Sequence, residues 1–159
     1  MIVYHSSFTI ITNPDVKYSR NKTDFSKGFY LTTNKDQTKV WAKRRISDYE
    51  ISYINEYELN EKELKKLKVL KFNSYDKKWL DFVSKCRVNQ DDSDYDVVIG
   101  PVADDKVYDT INLYFEGLIN INEAIKRLKK KEANNQICIR NNEAIDLLLT
   151  FVKGERYNG

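Results

Sequence analysis

Apolar positions along the chain fall into short alternating runs and into helical stripes, never into one long block. Ile2, Val3 and Tyr4 open a strand that ends at His5, and residues 8–11 read as a second short extended piece. Asn13-Pro14-Asp15 marks a turn. Residues 16–27 are polar and aperiodic and carry Arg20 and Lys22, the profile of a loop with a functional role. The pattern then changes twice within residues 24–41, DFSKGFYLTTNKDQTKVW. Phe29, Tyr30 and Leu31 followed by Thr32 and Thr33 are aromatic and β-branched, as a strand prefers. Asn34 or Asp36 can next cap a helix that sets Thr38, Trp41 and Ala42 on one side. Gly28, just ahead of the strand, lets another backbone or a flat ligand come close.

Downstream, the helix is expected over 36–46, and residues 49–59 alternate like a strand. Asn60 caps a short charged helix or turn over 61–68, and residues 69–72 form a strand. Asp76 caps an amphipathic helix with Trp79, Leu80, Phe82 and Val83 inside. Residues 95–100 (YDVVIG) make a short apolar strand stopped by Gly100-Pro101. Helices follow over 106–117 and, capped by Asn120 or Asn122, over 123–131; Asn134-Asn135 breaks the latter. Residues 136–139 are a strand, and residues 143–152 read as a last helix whose LLLTFV end also suits a strand. Strands and helices mix without regular βαβ alternation, so the expected class is α+β, in one domain spanning 1–159.

Composition narrows the chemistry. The chain has 159 residues, 41% hydrophobic and 32% charged, an ordinary globular balance. A net charge of +3 and a pI near 8.7 are too mild to indicate nucleic acid. The basic run Lys126, Arg127, Lys129, Lys130 and Lys131 reads first as a solvated face. With a single histidine, His5, no histidine-based metal site is expected, and no metal is expected. Cys86 and Cys138 fit no zinc or redox spacing and are expected as buried thiols of a cytoplasmic protein. The first eleven residues lack a cationic stretch and a long apolar core, so no signal peptide is expected. No apolar run reaches membrane-spanning length.

Three separated segments together resemble a known family. YHSS at residues 4–7 resembles the strand-borne His-Gly of the H-Y-E ADP-ribosyltransferases, the diphtheria-toxin and poly(ADP-ribose) polymerase type. SKGFYLTTNKDQTKVW resembles their G-x-G-x-Y-F segment and following helix, and NNQICI falls where they carry a third-motif strand. Over nearly its whole length the chain is also similar to an uncharacterised bacterial family of small ADP-ribosyltransferase-like proteins. The segments that carry this second likeness are GFYLTT, YDVVIGPVADD and NNQICIR.

The resemblance implies a split-sheet core with flanking helices and NAD as co-substrate. It implies a His5, Tyr30, Gln136 triad, with Gln136 where the family has Glu. NAD would be held by His5, Ser6, Arg20, Gly28, Tyr30, Thr38 and Trp41. Tyr30 and Trp41 would stack the nicotinamide, Thr38 would meet its carboxamide, His5 the adenosine-side ribose, and Arg20 the diphosphate. Ser6 replaces the family's Gly and adds a Cβ there. Gln136 can hydrogen-bond a ribose but cannot act as a base. By analogy with a lost oxyanion-hole donor, losing that charge costs about 2.7–4 kcal/mol of barrier. The activity expected is mono-ADP-ribosylation of a protein or nucleic-acid acceptor by a toxin or defence effector held in check by a small inhibitor (antitoxin) protein. The alternatives are an NAD-binding module without turnover and an NAD glycohydrolase. An acid recruited from elsewhere is a further route, with Asp104, Asp105 and Glu143 as candidates; the ordinary role of the Asp pair is a turn and helix cap.

Overall fold

The computed structural model describes residues 1–49, 51–129 and 135–158, with the side chains at 45–49 and 105 left aside. Two sheets form the frame. The first has the order β1 (Ile2–Ser7), β3 (Tyr53–Leu59), β7 (Leu149–Arg156), with both pairings antiparallel. The second runs β2 (Phe29–Leu31), β6 (Asn135–Ile139), β5 (Val97–Pro101), β4 (Val69–Lys71). Its β2–β6 and β6–β5 pairings are antiparallel and β5–β4 is parallel. The class is therefore α+β, with the strands split between two sheets.

The sheets meet where β1 passes the end of β2. Tyr4 and Thr32 exchange backbone hydrogen bonds of 2.8 and 3.0 Å. That bridge sets His5, one residue further along β1, against the backbone of Tyr30. One apolar cluster, including Val3, Leu31, Tyr57 and Ile139, fills the space between the sheets. Another gathers Phe25, Phe72 and Trp79 with residues of the flanking helices.

The helices are α1 (Lys35–Tyr49), α2 (Lys77–Arg87), α3 (Asp105–Phe115), α4 (Ile121–Leu128) and α5 (Asn142–Leu148). Their starts follow from side-chain caps. Asn34 Oδ1 accepts from the amides of Asp36 and Gln37 at 3.0 and 3.3 Å. Asp76 caps α2 through Trp79 N at 2.9 Å, and Asn120 caps α4 through Glu123 N at 2.9 Å. Helix α2 buries Trp79, Leu80, Val83 and Cys86, one stripe of a 3.6-residue period. No helix among the described residues is long and apolar enough to cross a membrane.

Several boundaries differ from the pattern-based expectation. The extended piece at residues 8–11 is no strand, because side chains of β3 take its backbone groups instead. Asn55 accepts from Ile11 N at 2.9 Å and donates to Thr9 O at 3.1 Å, and the Tyr57 hydroxyl donates to Ile11 O at 2.6 Å. Helix α1 runs to Tyr49, so the next strand begins at Tyr53 rather than 49. Residues 143–152 divide: α5 ends at Leu148, and Thr150 and Phe151 pair with Glu58 and Tyr57 of β3. Helix α4 ends at Leu128, with Lys126, Arg127 and Lys129 exposed; Lys130, Lys131 and Asn134 lie outside the described residues.

Candidate functional site

A cleft of about 600 Å³ opens where β1, β2 and β6 come together, within the usual size range of small-molecule sites. Strand β1 brings His5 and Ser6, β2 brings Tyr30, α1 brings Trp41, and β6 brings Gln136. The loop before β2 supplies Arg20, Lys22, Thr23 and Asp24, and Arg87 of α2 and Tyr108 of α3 close the far wall. Six of the residues singled out from sequence thus share one cleft: His5, Ser6, Arg20, Tyr30, Trp41 and Gln136. A second cleft of about 790 Å³ adjoins it, lined by residues 7–13 with Tyr18 and Phe29. His5, Arg20, Thr23 and Tyr30 border both.

His5 is held on two sides. Its ring stacks on Phe29 with centroids 4.2 Å apart, and its Nδ1 lies 2.6 Å from the Tyr30 carbonyl oxygen. A carbonyl only accepts, so Nδ1 carries the proton, and in the neutral ring Nε2 is the basic nitrogen.

Tyr30 is fixed by its hydroxyl. That group donates to Ser26 O at 2.5 Å, receives Phe25 N–H at 3.0 Å and lies 2.9 Å from Thr23 Oγ1. Burial holds its proton well above the ordinary phenol range. Tyr30 therefore offers the clefts a ring and not an acid or base. Ser26, which receives the bond, takes the left-handed conformation (φ 67°) and gives its hydroxyl to Asp91 at 3.0 Å. Asp91 in turn accepts from Arg140 at 2.5 Å. The loop is thereby tied down behind the site.

Gln136 is 5% exposed and lies opposite Gly100 in the β5–β6 ladder. Its Nε2 donates to Asp24 Oδ2 at 2.9 Å, and the same oxygen receives Ala103 N–H at 3.1 Å. Asp24 Oδ1 pairs with Arg87 Nη2. The Arg87 guanidinium lies over the Tyr108 ring, 3.2 Å from its centroid, and its Nε is buried without a partner. Desolvation by burial lowers the Arg87 pKa, and Asp24 opposes that shift. With Asp24 spent on Arg87, the cations left at this cleft among the described residues are Arg20 and Lys22.

Two of the sequence candidates stand elsewhere. Thr38 is fully buried and gives its hydroxyl to Asn34 O at 3.3 Å. Gly28 borders the larger cleft, and its missing Cβ makes room for β6. A Cβ there would fall inside contact distance of Cys138 Sγ and 2.8 Å from Ile139 O. Another backbone, then, is what needs this glycine. The recruited acids also move: Asp104 caps α3 through Val107 N at 2.9 Å, and Glu143 is exposed on α5 and lines neither cleft. The Asp105 side chain lies outside the described part of the chain.

Asp24, Arg87 and Tyr108 escaped the reading of the sequence. Asp24 and Gln136 are 112 residues apart, and no local pattern joins them. Only Asp24's position at the head of the 24–41 segment pointed toward the site. Among the described residues, no group of three or more His, Cys, Asp or Glu side chains is placed to hold a metal ion.

Comparison with curated proteins and with solved structures returns no match in either set. A family model described as "Protein of unknown function (DUF3990)" matches residues 1–151, and the chain belongs to that family.

Proposed function

We propose that the protein is an NAD-dependent mono-ADP-ribosyltransferase of the split-sheet type, working as a cytoplasmic toxin or defence effector under a small inhibitor protein. The observation that carries this reading is the convergence of His5, Tyr30, Trp41 and Gln136, from four separate elements, on one cleft. Tyr30 and half-buried Trp41 offer aromatic faces to a cationic nicotinamide ring. Arg20 and Lys22 suit the diphosphate. His5, oriented by Phe29 and the Tyr30 carbonyl, suits a ribose hydroxyl. In the transfer, an acceptor oxygen, nitrogen or sulfur bonds to the ribose C1′ as the C1′–nicotinamide bond breaks. The ring leaves neutral with the bonding electrons, and any acceptor proton passes to water.

A second reading has its own support. Gln136 is a neutral amide, and the carboxylate beside it is paired with Arg87, so among the described residues the site offers no free anion to favour an oxocarbenium-like state. An NAD-binding module without turnover is consistent with that. Incubating the purified protein and a cell lysate with labelled NAD, then digesting in parallel with protease and nuclease, tests both. The expected result is label on a macromolecule, with free nicotinamide released. Nicotinamide without label selects the glycohydrolase, binding without release selects the module, and no binding overturns the reading altogether.

A further inference from the structure

We infer that Asp24 is a positioning residue that decides which end of the Gln136 amide the cleft meets; this rests on the transferase reading above. An ionised carboxylate can only accept hydrogen bonds. Asp24 takes three donors: Arg87 Nη2 on Oδ1, and Ala103 N and Gln136 Nε2 on Oδ2 at 3.1 and 2.9 Å. Gln136 must therefore turn its NH₂ toward Asp24 and its carbonyl oxygen away. Among the described residues no donor reaches that Oε1, and it is not sealed from the cleft that Gln136 lines. Flipping the amide would set two acceptors face to face and discard a charge-assisted bond.

The orientation has chemical consequences. A ribose hydroxyl is best held by an acceptor, and a developing positive charge at C1′ is favoured by the negative end of a dipole. The flipped amide would present N–H donors to both. Donation from Nε2 to a carboxylate also draws electron density toward Oε1, strengthening it as an acceptor. Asp24 further accounts for the glutamine. A glutamate side chain at position 136 would set a second carboxylate 2.9 Å from the first, and two carboxylates that close do not both ionise. Asp24 and Gln136 form a unit in which each residue type requires the other.

The test is a transposition of the pair. Nicotinamide release, calorimetric NAD affinity and melting temperature are measured for wild type, Asp24→Asn, Gln136→Glu and the double variant. Each single change is expected to slow release tenfold or more while NAD affinity falls by less. In the double variant the amide introduced at position 24 donates to the carboxylate introduced at position 136, at the cost of the acceptor that Ala103 N–H had on Asp24 Oδ2. That carboxylate turns a charged oxygen to the cleft, and release rises above that of both single variants. A merely structural role lowers the melting temperature of the singles without restoring the rate in the double. Wild-type release from Asp24→Asn, or a folded double variant no faster than the slower single, overturns the inference and leaves the transferase reading standing. If the singles do not fold, the folded double decides against wild type alone. If wild type binds NAD without release, the same order is read in the affinities. If it does not bind NAD, the transferase reading falls and this inference with it.

Discussion

The two clefts share a wall yet are built on opposite plans. In the smaller, polar groups are tied to one another: Gln136 to Asp24, Asp24 to Arg87 and Ala103, Arg87 over Tyr108. The larger is bordered by side chains that stand out in solvent, with Phe8 59%, Ile10 45% and Tyr18 80% exposed. Groups wired together hold their geometry before any ligand arrives, and this pre-organisation supplies selectivity. In the larger cleft Asn55 and Tyr57 pin the backbone at Thr9 and Ile11, while the exposed apolar side chains offer area. On the transferase reading, the small cleft would discriminate and the large one would tolerate.

Gly28 supports both, and replacing it is expected to have the largest effect. The Cβ of Gly28→Ala meets Cys138 Sγ and the Ile139 carbonyl, so β2 must move off β6. A loss of about 1–3 kcal/mol is expected from overpacking, visible as a lower denaturation midpoint. Because β2 carries Tyr30, binding in both clefts should weaken together. A variant as stable as wild type would mean that the strand yields at little cost and that the wall is softer than its packing indicates.

Tyr30→Phe comes next and separates the ring from the hydroxyl. The change leaves the Phe25 amide without that partner and removes one of the bonds to Ser26 O, a cost of about 1–3 kcal/mol. The ring remains, so NAD affinity is expected to stay within a few-fold of wild type, whereas Tyr30→Ala should lose it. If the two variants bind NAD equally poorly, the hydroxyl and not the ring is what matters.

These first two changes also mark how far the sequence could be read. Elements with their own local signal were legible: Asp76 before an apolar stripe, Asn120 before α4, and the apolar strand before Gly100-Pro101. Errors fell where a distant side chain replaced a local pattern. Residues 8–11 look extended, but Asn55 and Tyr57 of β3 take their hydrogen bonds. Within the site, the segment around Tyr30 was visible because strand and cap signals adjoin. The Asp24–Arg87–Gln136 cluster was not, since its members come from a loop, a helix and a strand with no spacing rule between them.

A smaller effect is expected at the ligand faces themselves. On the transferase reading, Trp41→Ala should weaken NAD by roughly 0.5–2 kcal/mol, read by calorimetry, for loss of the ring proposed to face the nicotinamide cation. Phe8→Ser, in the larger cleft, should change stability by no more than about 0.5 kcal/mol, as exposed substitutions do. It should leave nicotinamide release unchanged. Equal losses of affinity in both variants would erase the division of labour between the clefts.

The mildest prediction probes the wall from behind. Cys138 is fully buried beside Gly28, and burial pushes its thiol up to about 12; burial likewise raises Cys86 to about 11. In the unfolded chain, thiols near the ordinary value of 9.0 begin to lose protons around pH 8. Between about pH 9 and 11 the unfolded state has released protons that the folded state still holds, so stability falls as pH rises through that window. Native protein at pH 8 is accordingly expected to resist a thiol-alkylating reagent at both positions, as judged by intact mass, and to take two adducts once denatured. Tyr30→Phe, by loosening the loop in front of Cys138, should speed labelling there without the wild type's protection being lost elsewhere. Rapid labelling of Cys138 in the wild type would mean that the wall between the clefts opens spontaneously, and that the fixed geometry of the smaller cleft is transient.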